Sequence, residues 1–175
     1  MVLLRATQKV LRSLPPSVDD GATSGNALGD WYVNRIVIDR KPLLLIVSSK
    51  SLLSILAPAR DLKALPDRLA MLVEKRLRRL GVSDGAVASE VEATAKVGVG
   101  RTVDRSVVGQ MVDFAKAISF YLPINGWDED TLPEVEDKLA ETPCRSSRTD
   151  AETVWPREKA MELMSTTWPS SRTRH

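Results

Sequence analysis

Residues 31–48 read WYVNRIVIDRKPLLLIVS, and the architecture follows from them. Residues 31–39 are rich in β-branched and aromatic side chains. Arg40-Lys41 makes a tight connection, and residues 42–48 then form a second strand, so the pair is expected as a β-hairpin. The run 43–47 is apolar at every position, which places the second strand centrally, buried on both faces. On the first strand, alternation puts Tyr32, Asn34 and Ile36 on one face and Trp31, Val33, Arg35 and Val37 on the other.

Upstream, residues 2–6 are expected as a strand and 8–14 as a short helix stopped by Pro15-Pro16. The first 14 residues carry Arg5, Lys9 and Arg12 with no acid before Asp19; a strand and helix account for this as well as a transit peptide does. Residues 15–29 are rich in Ser, Asp, Gly and Asn and are expected as a loop. Downstream, Ser48 or Ser49 is expected to cap a short helix over 52–56. Residues 61–80 form the clearest amphipathic helix, with Leu65, Leu69, Leu72, Val73, Leu77 and Leu80 in one stripe and Gly81 as its stop. Arg76 falls inside that stripe and must either snorkel or reach a buried carboxylate.

A helix from Ser83 or Asp84 to about 93, a short strand near 95–99, and a helix capped by Ser106 and running to 122 follow. Thr131-Leu132-Pro133-Glu134 has the form of a capping box opening a helix to about 141. Residues 142–154 are loop-like, and Pro156 opens a last helix through 164. Strands that are few and partly hairpin-linked argue for α+β: a small, mostly antiparallel sheet of about four strands with helices packed on one face. Residues 1–165 are expected as one such domain and 166–175 as a flexible C-terminal tail.

Composition removes whole classes of chemistry. Of 175 residues one is His, the terminal His175, and one is Cys, Cys144. Histidine-based triads, His metal sites, zinc clusters and intrachain disulfides are thereby set aside, and neither a cofactor nor a metal is expected. The free thiol fits a reducing, cytoplasmic compartment. No apolar run approaches the ~18 residues of a membrane helix, so no membrane partner is expected. The net charge is only +2, yet it is uneven. Residues 60–80 carry seven basic and three acidic side chains; 127–141 carry seven acidic ones against Lys138 alone. These are read as two solvated helix faces that touch, or as a basic flank, Arg68, Lys75 and Arg79, contacting nucleic-acid phosphates.

Two polar clusters remain as ligand-binding candidates. Arg101, Asp104, Arg105 and Ser106 lie at a strand-to-helix junction, where free N–H groups and two guanidinium groups suit an anion; the competing reading has Ser106 capping the helix and Arg105 paired with Asp104 or Asp39. Trp31, Asn34 and Arg35 open the hairpin and Asp39 sits at its turn; Asn34 between apolar neighbours needs a partner if buried. Gly98-Val99-Gly100 lacks the third glycine of a dinucleotide loop, because position 103 is Val.

Three segments, LLRATQKVLRSL (3–14), GDWYVNRIVIDRKPLLLIVSSKSLLSIL (29–56) and DRSVVGQMVDFAKAISFYL (104–122), together resemble an uncharacterised prokaryotic family, the DUF6933 domain of unknown function. The resemblance rests on Trp31, Asn34, Ile38, Asp39, Arg40, Lys41, Arg105, Ser106, Val107, Gly109, Met111 and Asp113. The chain also resembles the N-terminal segment that precedes the domain of larger plasmid pRiA4b ORF-3-like proteins. Ala6 and Val103-Asp104 depart from the pattern, which has Cys and an Asn pair there. The resemblance implies a bacterial intracellular module and brings no activity. Function is therefore expected to be that of a non-enzymatic interaction or regulatory module, with a protein or nucleic-acid partner; a small enzyme or binder acting on a phosphate-bearing or acidic ligand is the alternative.

Overall fold

The computed structural model describes residues 1–123, 126–145 and 152–170. His175 and the end of the expected tail lie outside the described residues. In chain order the elements are β1 (Val2–Ala6), α1 (Gln8–Leu11), β2 (Trp31–Ile38), β3 (Lys41–Ser48), β4 (Ser54–Pro58), α2 (Leu65–Leu80), α3 (Asp84–Ala93), β5 (Val97–Arg101), α4 (Arg105–Tyr121), α5 (Leu132–Ala140), β6 (Cys144–Arg145), β7 (Thr153–Val154) and α6 (Pro156–Thr167).

The hairpin is β2–β3, paired from Trp31↔Ser48 to Ile38↔Lys41. Its two turn residues, Asp39 and Arg40, both have positive φ, 52° and 66°. That is the backbone a two-residue hairpin turn requires, because its twist matches that of the strands. The class is α+β as expected, but the sheet has five strands in the order β4-β3-β2-β1-β5 and is mixed: β1 runs parallel to both β2 and β5. The expected helix over 52–56 is instead the edge strand β4. Ser48 caps no helix there. Its hydroxyl accepts from the backbone N–H and hydroxyl of Ser51 and donates to the carbonyl of Leu28, holding a tight connection in which Leu52 has φ 63°.

Helices cover both faces, not one. On the first face Val2, Leu4, Trp31, Val33, Leu44, Ile46 and Ile55 pack against Val10 of α1, the α2 stripe, Val87 of α3 and Met164 of α6. On the second, Tyr32, Leu43, Leu45, Val47 and Leu56 pack against Met111, Phe114 and Ile118 of α4 and Val135 and Leu139 of α5. The all-apolar β3 follows from this two-sided burial.

The outer edges of the sheet are closed. Beside β5, the backbone N–H groups of Ser17 and Val18 donate to the carbonyl of Val99, and Val99 N–H donates to the Ser17 hydroxyl. A Cβ on Gly98 would lie 2.5 Å from Cγ1 of Val18, so this glycine is required by the crossing loop and not by a cofactor. At β4, Leu56 N–H donates to the Glu136 carboxylate at 2.9 Å, while Nε of Arg76 donates to the Ser54 carbonyl at 3.1 Å. Arg76 thus reaches its partners from inside the apolar stripe. It also donates to the carbonyl of Glu136 and to Asp137, so α2 and α5 are joined around the sheet edge.

Candidate functional site

Strands β1 and β5 end at Ala6 and Arg101, beside Val33 in the middle of β2. Several candidate residues meet at these carboxyl ends. Tyr32, the residue after Trp31, passes beneath α4 and its hydroxyl accepts from Asp104 N–H at 3.1 Å. Burial raises the Tyr32 phenol above its ordinary value. Asn34, on the same face, accepts from the Thr7 hydroxyl at 2.8 Å and so has the partner its half-buried position demands. Asp104, not Ser106, caps α4: its carboxylate accepts from Ser106 N–H at 2.8 Å and from the Ser106 hydroxyl at 2.7 Å. Arg105 points outward and forms no ion pair among the described residues, with Asp104 and Asp39 included.

The other candidates are placed elsewhere. Trp31 is fully buried on the opposite, first face. Arg35 is half-buried on that face, and Asp39 serves the turn. Arg101 is held by Asp20, Nη2 to carboxylate oxygen 2.6 Å, and this guanidinium draws the Asp20 carboxyl below its usual range. The polar groups of the junction are therefore largely engaged with one another, and they do not converge with Trp31 and Arg35 on one pocket.

The basic flank of α2 lines a groove of about 420 Å³ with Leu56, Met71, Leu72 and Leu132. Arg68 pairs with Asp61 at 2.8 Å. Arg79 pairs with Glu136 at 2.7 Å and Asp137 at 2.6 Å. Lys75 has no ion pair among the described residues. The basic and acidic helices do touch. The capping box expected at Thr131 does not form; the Thr131 hydroxyl donates to the Asp128 carbonyl instead. The two buried ends of the network are strained electrostatically in opposite senses: burial lowers the Arg76 guanidinium and raises the Glu136 carboxyl from their ordinary values.

A second groove, about 470 Å³, runs between β2 and α4 and is lined by Ile36, Val37, Ile38, Asp39, Val112, Ala115, Lys116 and Ser119. No polar motif in the sequence marks it, because the side chains that set it apart, Val37 and Val112, are apolar. Val37 is 57% exposed and Val112 52%. The available signal was the mismatch of strand lengths, eight residues in β2 against five in β1. Val33 C=O accepts from Thr7 N–H, which fixes the odd-numbered residues of β2 as those whose backbone faces β1. Beyond that bond, the N–H and C=O of Arg35 and Val37 face no backbone partner among the described residues.

Among the described residues no group of three or more His, Cys, Asp or Glu is placed to hold a metal ion, and no helix is long and apolar enough to cross a membrane. The late Trp residues are used unequally. Trp168 Nε1 donates to the buried carboxylate of Glu90 at 2.7 Å, past the end of α6, whereas Trp155 is 43% exposed. No curated protein matches the chain. A family model described as a domain of unknown function (DUF6933) matches residues 3–159, and the chain belongs to that family.

Proposed function

We propose that this domain is a non-enzymatic interaction module of the bacterial cytoplasm, binding a protein partner through the face made by the distal β2–β3 hairpin and α4. The observation that carries this reading is the open edge of β2 in the β2–α4 groove, flanked by exposed apolar side chains on both faces of the sheet, Val37 on the first and Val112 of α4 over the second. Exposed apolar side chains that share a groove mark association sites more often than solitary ones do. The catalytic alternative draws less support, because Asp104, Ser106 and Arg101 are spent on a cap and an ion pair. The nucleic-acid alternative is weakened in the same way at Arg68 and Arg79.

The test is a photo-reactive amino acid placed at position 112 and, as control, at the exposed Glu158 of α6. A discrete adduct from position 112, absent from 158 and abolished by Val37→Asp, is the expected result. The same adducts from both positions would overturn the proposal, and so would a turnover lost on Asp104→Asn.

A further inference from the structure

We infer that the open edge of β2 accepts an extended, acidic–apolar segment of a partner protein as an added β-strand in the line that β1 vacates. This rests on the interaction-module reading and names how its partner is held.

The backbone dictates the conformation of the occupant. The N–H and C=O of Arg35 and Val37 project from one edge at the spacing of alternate strand residues, and among the described residues no backbone group meets them. An extended chain is the one protein segment that meets every group of such a row at its own repeat. The available length, residues 34–38, spans about 17 Å, enough for a strand of about five residues. Position is set by β1, whose register on β2 stops at Ala6↔Val33 before the chain turns into α1. An incoming strand therefore continues an existing sheet line.

The walls dictate its side chains. Val37 on one side and Val112 and Ala115 on the other present apolar surface to alternate residues. The charges around the slot are Arg35 and Arg40 from the hairpin and Arg105 and Lys116 from α4, none of which forms an ion pair among the described residues. Against them stand Asp39, at the tip, and Asp104, whose carboxylate is occupied at the helix cap. The balance favours acidic residues interleaved with apolar ones. It disfavours a second copy of this chain, because antiparallel pairing of two β2 edges brings both sets of cations together.

The experiment has two arms on the full-length protein. In the first, amide hydrogen exchange is followed without any ligand. Arg35 and Val37 should exchange at least about tenfold faster than Asn34 and Ile36, whose amides face β3. Equal protection of all four would show that the edge is already covered and would overturn the inference. In the second, a displayed library of random decapeptides is selected on the protein. Enriched sequences should alternate apolar and acidic residues, and a synthetic winner should slow exchange at Arg35 and Val37. N-methylation of its alternate amides, which removes ladder donors and keeps the side chains, should cost at least about tenfold in affinity. Val37→Pro, which removes one N–H from the open edge, should abolish binding; Lys116→Glu, on an exposed helix position away from the core, should weaken it several-fold and serves where Val37→Pro fails to fold. No enrichment, indifference to N-methylation, or a concentration-dependent dimer would each overturn the inference. A position-112 crosslink that survives those failures would leave the interaction module standing without strand addition.

Discussion

Replacing Arg76 by Ala tests whether the sheet edge is held by the hydrogen bonds of its guanidinium. The side chain is 2% exposed and donates to two carbonyls, Ser54 at 3.1 Å and Glu136 at 3.1 Å, besides the half-exposed Asp137. Each carbonyl orphaned in a buried site costs about 1–3 kcal/mol. Loss of the Asp137 contact adds little, because that carboxylate is 60% exposed and water replaces the partner. Return of the guanidinium to water in the unfolded state has already been charged against the wild type, since burial lowers its pKa. The net expectation is a loss of about 3 kcal/mol, near the lower end for a broken buried pair. Urea unfolding monitored by circular dichroism reads this as a lower midpoint at unchanged slope. Arg76→Met restores the volume and none of the donors, so it should recover only the packing part. Arg78→Ala, two positions on, removes an exposed pair with Glu74 and Asp84 and should leave the midpoint where it was. An Arg76→Ala midpoint equal to wild type, or full recovery in Arg76→Met, would refute the edge-holding role.

Three further outcomes are expected. Asp104→Ala should cost about 1 kcal/mol in thermal unfolding, while Ser106→Ala costs less, because Ser106 only donates to the cap; the reverse order would reinstate Ser106 as the cap. Arg40→Gly should raise the melting midpoint by about 2–4 °C, since a residue at φ 66° is relieved of left-handed strain of about 1 kcal/mol. Burial pushes the Cys144 thiol up to about 11 from 9.0, so the native protein should react slowly with iodoacetamide at pH 8. The thiol of the unfolded chain ionises first as pH rises. Its contribution is therefore intact below about pH 9 and declines toward pH 11, a decline that Cys144→Ala should remove from the stability profile.

What could be read from the sequence was local. The hairpin was legible because its turn and its two strands are adjacent and each carries a β pattern. The α2 stripe was legible because its period is long and regular, and even Arg76 was legible as an anomaly needing a buried partner. β4 was not. Residues 52–56 are a short apolar run that periodicity cannot assign, and Ser48, which looks like a helix cap, is equally suited to closing a tight turn. The parallel pairing of β1 with β2 and β5 joins residues as far apart in the chain as Ala6 and Arg101, and no local preference encodes it. The same limit applies to the site. Asp104 and Ser106 are both competent caps two positions apart, and the choice depends on where Tyr32 anchors the junction.

The three strand edges of this sheet are treated differently, and the difference bears on function. At β4 a carboxylate and a guanidinium meet individual backbone groups, and at β5 a loop supplies its own backbone. Both are closures that exclude any other chain. The distal half of β2 has no such closure among the described residues. Charges on an edge ordinarily guard it against pairing with copies of itself, and Arg35 and Arg40 fit that role. A purely guarded edge, however, has no reason to place Val37, 57% exposed, between those arginines on one face and Val112 of α4, 52% exposed, over the other. Cations that repel a second copy, combined with apolar positions that reward a strand, discriminate between partners instead of excluding all of them. By that reasoning, Val37→Asp should leave the fold intact and abolish selection of acidic–apolar peptides, whereas Arg35→Glu should shift the selected peptides toward basic residues and relax the repulsion that opposes a dimer.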